Sequence, residues 1–285
     1  MRGSTARSSS LVAIVLVLTT STHAAADAGE ADPDEGFELP DRAYLLDGGA
    51  VPYLYVPIAL TLAIRSQTPP RSRPLLFKTT EGGEIYPGGQ YPVPMLYVGA
   101  GLAAGTILAA GDDSRWFHLK GFAQGMAMNA LLTSVAKNVF GRQRPSYDLA
   151  PGAKNPDDHR RSFWSGHSST TLATATYLGL YARQHIFSRW REPGTLPWWE
   201  AASYAGLTAA ALAVPYSQYR LNRHHASDVI TGSLVGAGAS TVFYIYQERR
   251  YRRARAARDR DEPRGFEWSV APDPSINGFA ISGSW

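Results

Sequence analysis

Six apolar stretches set the limits on how this chain can fold. Val51 to Ile64, Met95 to Ala110, Ser168 to Tyr181, Ala201 to Val214 and Val229 to Tyr246 contain no charged residue, and the mixed segment Gly121 to Phe140 contains only Lys137. A helix that is apolar all round is either deeply buried or crosses a membrane. The pattern predicts an all-α protein: a membrane-spanning helical bundle of about five to six core helices. Gly101 with Gly105, and Gly232 with Gly236, place small residues four apart, the spacing that lets helices approach closely. The slightly negative mean hydropathy averages these helices with strongly charged connections. The 285 residues leave ample length for a core, and the absence of cysteine excludes disulfides, thiol nucleophiles, Cys-ligated zinc and iron–sulfur clusters. A formal net charge of +4 gives no reason to expect a nucleic-acid partner.

The ends differ in character from the middle. Residues 1–26 read as a secretory signal: Arg2 and Arg7, then the short apolar run Leu11 to Leu18, then small residues at a cleavage site. An uncleaved anchor is the alternative. Residues 27–47 form an acidic, flexible leader, and residues 48–92 a short helix followed by a Pro/Gly-rich connector. The helical core described next spans 93–248. Residues 249–285 hold a basic tail, with eight arginines between 249 and 264, and a segment that alternates as a small β-hairpin turning at 273–277. The arginines directly follow an apolar helix, which marks them as a cytoplasmic flank. Trp190, Trp198 and Trp199, among basic residues, have the composition of a membrane interface.

Three polar clusters interrupt the apolar pattern. Lys137 through Pro145 closes one helix, Ser162 through Ser168 opens the next, and Ser217 through Asp228 opens the last. If successive helices are antiparallel, all three lie at one end of the bundle. Lys137, Arg144 and Arg142 are candidate charge-assisted donors to a dianionic group. Ser165, Gly166 and His167 begin a helix, whose free N–H groups and dipole favour an anion. His224 and Asp228 are four apart and share a helix face, so the carboxylate can accept from one imidazole nitrogen and leave the other as a nucleophile. His167 can protonate a leaving oxygen. Together these parts make a phosphotransfer site that needs no metal.

In order and spacing the three clusters resemble the type 2 phosphatidic acid phosphatase superfamily, which includes lipid phosphate phosphatases, bacterial class A acid phosphatases and vanadium haloperoxidases. Its pattern is K-x6-R-P, then P-S-G-H, then S-R-x5-H-x3-D. Lys137 to Pro145 fits the first element, Ser165-Gly166-His167 the second and Ser217, His224 and Asp228 the third. Trp164 stands where proline is usual and Gln218 where arginine is usual. The resemblance implies that His224 forms a phosphohistidine, Asp228 orients it, and His167 serves as acid and base. It implies that Lys137, Arg144, Ser165 and Gly166 hold phosphate oxygens. Arg220, one turn before His224, is the candidate substitute for the missing arginine.

The expected activity is phosphatase action on a phosphorylated membrane lipid, with no metal or other cofactor. A soluble periplasmic acid phosphatase, a vanadate-dependent haloperoxidase and a non-catalytic phospholipid-binding protein are the alternatives. Five spans counted from Met95 put Lys137, His167 and His224 outside an inner membrane, facing the periplasm, and the arginine tail inside. Val51 to Ile64, with Pro52 and Pro57, is read as a re-entrant or surface helix. His118, His159 and His185 fit no motif spacing and are read as surface or loop residues. The oligomeric state is not fixed by the sequence.

Overall fold

The computed structural model describes residues 44–45, 50–67, 92–146, 160–261, 267–273 and 278–284. The signal, most of the leader and connector, His159, Arg264 and the hairpin turn lie outside these residues. The described helices are α1 (Val56–Arg65), α2 (Pro92–Ala109), α3 (Arg115–Phe140), α4 (Gly166–Tyr181), α5 (Trp198–Arg220) and α6 (Ala226–Asp261). Two strands follow, β1 (Glu267–Asp273) and β2 (Gly278–Ser284), paired antiparallel with Val270 opposite Ile281. The predicted helical bundle and terminal hairpin are both present.

Local chemistry explains the boundaries. A π-helical turn, Val51–Tyr55, leads directly into α1, and Pro52 and Pro57 each fall at the start of its segment. There the missing N–H costs least. Helix α3 ends at Gly141, whose φ of 55° is the left-handed conformation that glycine adopts without steric cost. Its N–H donates back to the Lys137 carbonyl at 3.2 Å. Ser165 caps α4 by accepting from the Ser168 N–H at 3.3 Å.

Helix α6 differs from expectation in length. It does not stop at Tyr246 but continues through the arginine run to Asp261, about 54 Å in all. Arginine is a good helix former, and Arg252 pairs with Glu248 one turn back at 2.5 Å. This extension also has a buried face: Tyr251 and Ala254 pack with Phe117. The basic segment is therefore part of the packed bundle as well as a charged flank.

Helix α6 packs along α4 and α3. The apolar core gathers Ala103 and Ile107 of α2, Phe122 of α3, Tyr177 and Tyr181 of α4, and Tyr244 of α6. Glycine governs the approach of α4 and α6. A β-carbon on Gly232 would meet the Ser165 carbonyl, and one on Gly236 the Ser169 carbonyl. Gly101 and Gly105 behave differently from expectation: a β-carbon on either meets nothing within 4 Å, so neither mediates close packing among the described residues. We expect Gly236→Ala to destabilise the fold by about 1–3 kcal/mol, because rigid backbone rather than a flexible side chain blocks the added methyl. Thermal unfolding checks this. A melting temperature within about 1 °C of wild type would show that the helices can separate freely.

Candidate active site

The end of α3, the start of α4 and the α5–α6 turn meet at one end of the bundle, as the antiparallel order requires. Backbone hydrogen bonds join them. The Ser162 N–H donates to the Arg142 carbonyl at 3.0 Å, and the Ser165 N–H to the Asp228 carbonyl at 3.0 Å. In the third segment, the N–H groups of Arg223 and His224 both donate to the Gln218 carbonyl, at 3.2 and 3.3 Å. These contacts fix three loops relative to one another before any ligand is present.

His224 is almost wholly buried, with 1% of its surface exposed. Its Nδ1 lies 2.8 Å from the Ser162 carbonyl oxygen, which can only accept, so Nδ1 carries the proton. Nε2 then presents a lone pair. Burial, reinforced by the charges of Arg144 and Lys137, pushes this imidazole down to about 3. It is therefore a free base at neutral pH. A nucleophile needs that state.

Asp228 acts differently from the simplest reading of the spacing. Its carboxylate lies 3.9 Å from His224 Nδ1, beyond hydrogen-bonding distance, and the carbonyl of Ser162 takes the proton instead. The carboxylate accepts from the Ser162 hydroxyl at 2.5 Å, the His225 N–H at 3.1 Å and Arg142 Nη1 at 2.5 Å. It thus holds Ser162, and Ser162 holds His224. Arg142, a candidate phosphate donor in the sequence, has its Nη1 engaged by Asp228 and by the Ser227 hydroxyl at 2.8 Å. His225 packs beside the site, half-buried, with Nε2 3.2 Å from the Gln143 carbonyl.

The opposite wall comes from α3 and α4. A β-carbon on Gly166 would sit 3.3 Å from a Thr133 methyl and 3.8 Å from the Lys137 ammonium. The small residue thus keeps the helix N-terminus open beside a cation. Ser165 Oγ accepts from both the N–H and the hydroxyl of Ser168, at 3.3 and 2.9 Å, which frees its own proton for donation outward. Trp164, in the place where the pattern has proline, donates from Nε1 to the Thr133 hydroxyl at 2.9 Å and fixes the loop before α4.

Lys137, Gly166 and His167 also form the polar end of a cavity of about 780 Å³. Its walls are largely apolar, with Leu54, Leu96, Phe122 and Met126 among them, and Arg65 and Lys120 also line it. Arg220 is not drawn into this group. It ends α5 exposed, and among the described residues no hydrogen bond or ion pair joins it to the cluster. Gln218 is fully buried, and both atoms of its side-chain amide lack a partner among the described residues.

Two histidines read from the sequence as surface or loop groups are neither. His118 is fully buried and His185 only 7% exposed. They meet at the other end of the bundle. Their partners lie far away in sequence, so no local spacing announced them.

This geometry and the sequence comparisons agree. Residues 119–252, just under half of the chain, match the PAP2 superfamily. More particular relatives are phospholipid phosphatase 2 from Rattus norvegicus, 30% identical over 148 residues, and from Homo sapiens, 32% identical over 149 residues. Each alignment covers 44% of this chain, and 51% and 49% of the respective relative. Dolichyldiphosphatase 1 from Homo sapiens is 28% identical over 138 residues, covering 47% of this chain and 55% of the relative. The chain spans about half the length of the curated relatives it matches. No solved structure matches.

Proposed function

We propose that this chain is a lipid phosphate phosphatase that hydrolyses a phosphomonoester or diphosphate on a membrane lipid through a phosphohistidine. The observation that carries the lipid assignment is the cavity. It offers a cationic, hydrogen-bonding end at Lys137, Gly166 and His167 and apolar walls beyond them. A phosphate fits the first and an acyl or prenyl chain the second. Phospholipid and dolichyl diphosphate phosphatases among the relatives support the same reading.

The chemistry uses groups of this chain. Lys137, Arg144, the Ser165 hydroxyl and the N-terminal N–H groups of α4 hold the phosphoryl oxygens. His224 Nε2 attacks phosphorus, a P–N bond forms and the ester P–O bond breaks. His167 gives its proton to the departing oxygen. Water then attacks the phosphohistidine, His167 takes the water proton, and the P–N bond breaks to release phosphate. Asp228, Ser162 and Arg142 keep His224 in the required tautomer and direction.

The proposed location is an inner membrane, with the site facing the periplasm. Among the described residues one helix, Ala226–Arg260, is long and apolar enough to cross a membrane; Val51–Arg65 and Met95–Ala109 are shorter apolar helices. Large apolar side chains face outward: Tyr97 is 76% exposed, Leu102 65%, Leu234 69% and Val242 64%. So many exposed large apolar side chains suit a lipid environment better than water. The active site lies at the start of α6 and its arginines at the far end, so a cytoplasmic arginine flank places the site on the opposite side.

Phosphate release by the purified protein tests the function. We expect phosphatidate, phosphatidylglycerol phosphate, undecaprenyl diphosphate or lipid A to exceed p-nitrophenyl phosphate by about 100-fold or more in kcat/KM, since apolar binding energy is available only to a lipid. Vanadate should inhibit. Equal efficiency on lipid and water-soluble esters would return the assignment to a general acid phosphatase.

A further inference from the structure

The end of the bundle away from the active site carries a second constellation. His118 of α3 and Lys137 share one helix, and their separation of 19 positions corresponds to about 28 Å. Around His118 the chain brings together His185, from the π-helical turn after α4, and Glu248 of α6. All three are buried. His118 Nε2 lies 3.1 Å from Glu248 Oε2, and His185 Nε2 lies 2.9 Å from the same oxygen. The three potential ligand atoms fall within 4.8 Å of one another.

The outer contacts orient these atoms. His185 Nδ1 lies 3.0 Å from Asp112 Oδ2, and His118 Nδ1 lies 3.3 Å from the Tyr177 hydroxyl. An Nδ1–H donated outward on each ring leaves each Nε2 as a lone pair facing the Glu248 carboxylate oxygen. Three electron-rich atoms cannot converge unless a hydrogen or a metal ion lies between them. A proton on each Nε2 can fill that role, and so can a metal ion. The carboxylate–histidine arrangement at Asp112 and His185 is the kind that fixes a metal-binding ring. Tyr181 stacks on His185 at 4.9 Å between centroids, and Tyr244 on His118 at 5.0 Å, so both rings are held in place.

We propose that His118 Nε2, His185 Nε2 and Glu248 Oε2 bind a divalent cation of the zinc class. Two imidazoles and one carboxylate are a donor set suited to such an ion. Tetrahedral ligands at zinc lie about 3.3 Å apart, so the observed 2.9 and 3.1 Å separations need only small outward movements. A cavity of about 510 Å³, lined in part by His185, Glu248, Asp112 and Arg252, gives the ion a route to Glu248 and His185. Three cations line the same cavity, Arg189, Arg252 and the exposed Arg255, together with Asp259. Arg252 occupies the other Glu248 oxygen, Oε1, and Arg189 lies on Asp112 at 3.4 Å. Arg252 and Arg189 are 62% and 46% exposed, so solvent screens their charges in part. Glu248 and Asp112 supply two negative charges beside the ion, shared with Arg252 and Arg189. Bound there, the cation ties α3, the turn after α4 and α6 together, and it takes no part in phosphoryl transfer.

The experiment uses untagged full-length protein in detergent, stripped by a chelator and dialysed. Zinc is titrated back and bound metal counted, and cobalt serves as a coloured probe of the site. We expect one equivalent, a dissociation constant of about micromolar or tighter, and a melting temperature raised by several degrees. His118→Gln, His185→Gln and Glu248→Gln should each weaken binding by about 100-fold, while His224→Ala should retain one equivalent. Wild-type protein that takes up no stoichiometric zinc overturns the proposal, whether or not the variants fold. So does a single equivalent that His224→Ala loses and the three distal variants keep.

Discussion

Replacing His224 by alanine should lower kcat by about 10⁴-fold or more while leaving the protein folded. The ring supplies the only buried imidazole lone pair brought up to Lys137 and Arg144 among the described residues, and no neighbouring hydroxyl can substitute for it. Ser162 donates to Asp228, and Ser165 is the cap of α4. Loss of the imidazole removes the covalent step rather than weakening substrate binding, so KM should change little. A second readout is specific to the mechanism. Wild-type protein quenched at alkaline pH during turnover of radiolabelled substrate should retain label as phosphohistidine, and His224→Ala should retain none. A variant keeping more than about a tenth of wild-type turnover would exclude His224 as the nucleophile.

The next largest effect belongs to Arg142, which the sequence offers as a phosphate ligand and the structure turns toward Asp228. The Asp228 side chain is fully buried, and that of Arg142 is 11% exposed. Arg142→Ala would leave a buried carboxylate without its ion pair, which costs about 3 kcal/mol or more. It should also release Ser162 and, through it, His224. The expected result is a melting temperature several degrees lower and a kcat reduced by about 10- to 100-fold, with affinity for vanadate nearly unchanged. Arg142→Lys should recover part of the stability but little of the geometry, because a single ammonium cannot reproduce the guanidinium contacts to Ser227 and Asp228. If Arg142→Ala instead left the melting temperature intact and weakened vanadate binding, Arg142 would be a phosphate ligand after all.

These two residues show how far the sequence reaches. The histidine is identifiable from its place four before a carboxylate, and from Lys137 and the Ser-Gly-His segment in fixed order. Spacing of that kind records which groups can reach one ligand. It does not record which donor goes to which acceptor. The proton of His224 Nδ1 is taken by a backbone carbonyl 62 positions away, and the arginine goes to a carboxylate 86 positions away. Both choices depend on how the loops are laid against each other.

The same division holds for the fold. Apolar stretches without charge fixed the helices, because an all-round apolar surface has few other places to go. Alternation around a short polar break fixed the hairpin. The end of α6 was not legible, since an arginine run reads as a flank whether it is helical or not, and only the packing of Tyr251 and Ala254 with Phe117 reveals its buried face. The two glycine pairs have the same spacing, yet only Gly232 and Gly236 lie against another backbone. His118 and His185 were read as peripheral because neither has a partner at a helical spacing. Their partner Glu248 lies 130 and 63 positions away. The sequence by itself determined the helical class, the candidate catalytic residues and the end of the bundle that holds them. The tertiary structure alone decided the Ser162–Asp228–Arg142 relay behind His224, the shape of the lipid-sized cavity and the distal histidine pair, because each depends on side chains that meet only after the helices have packed.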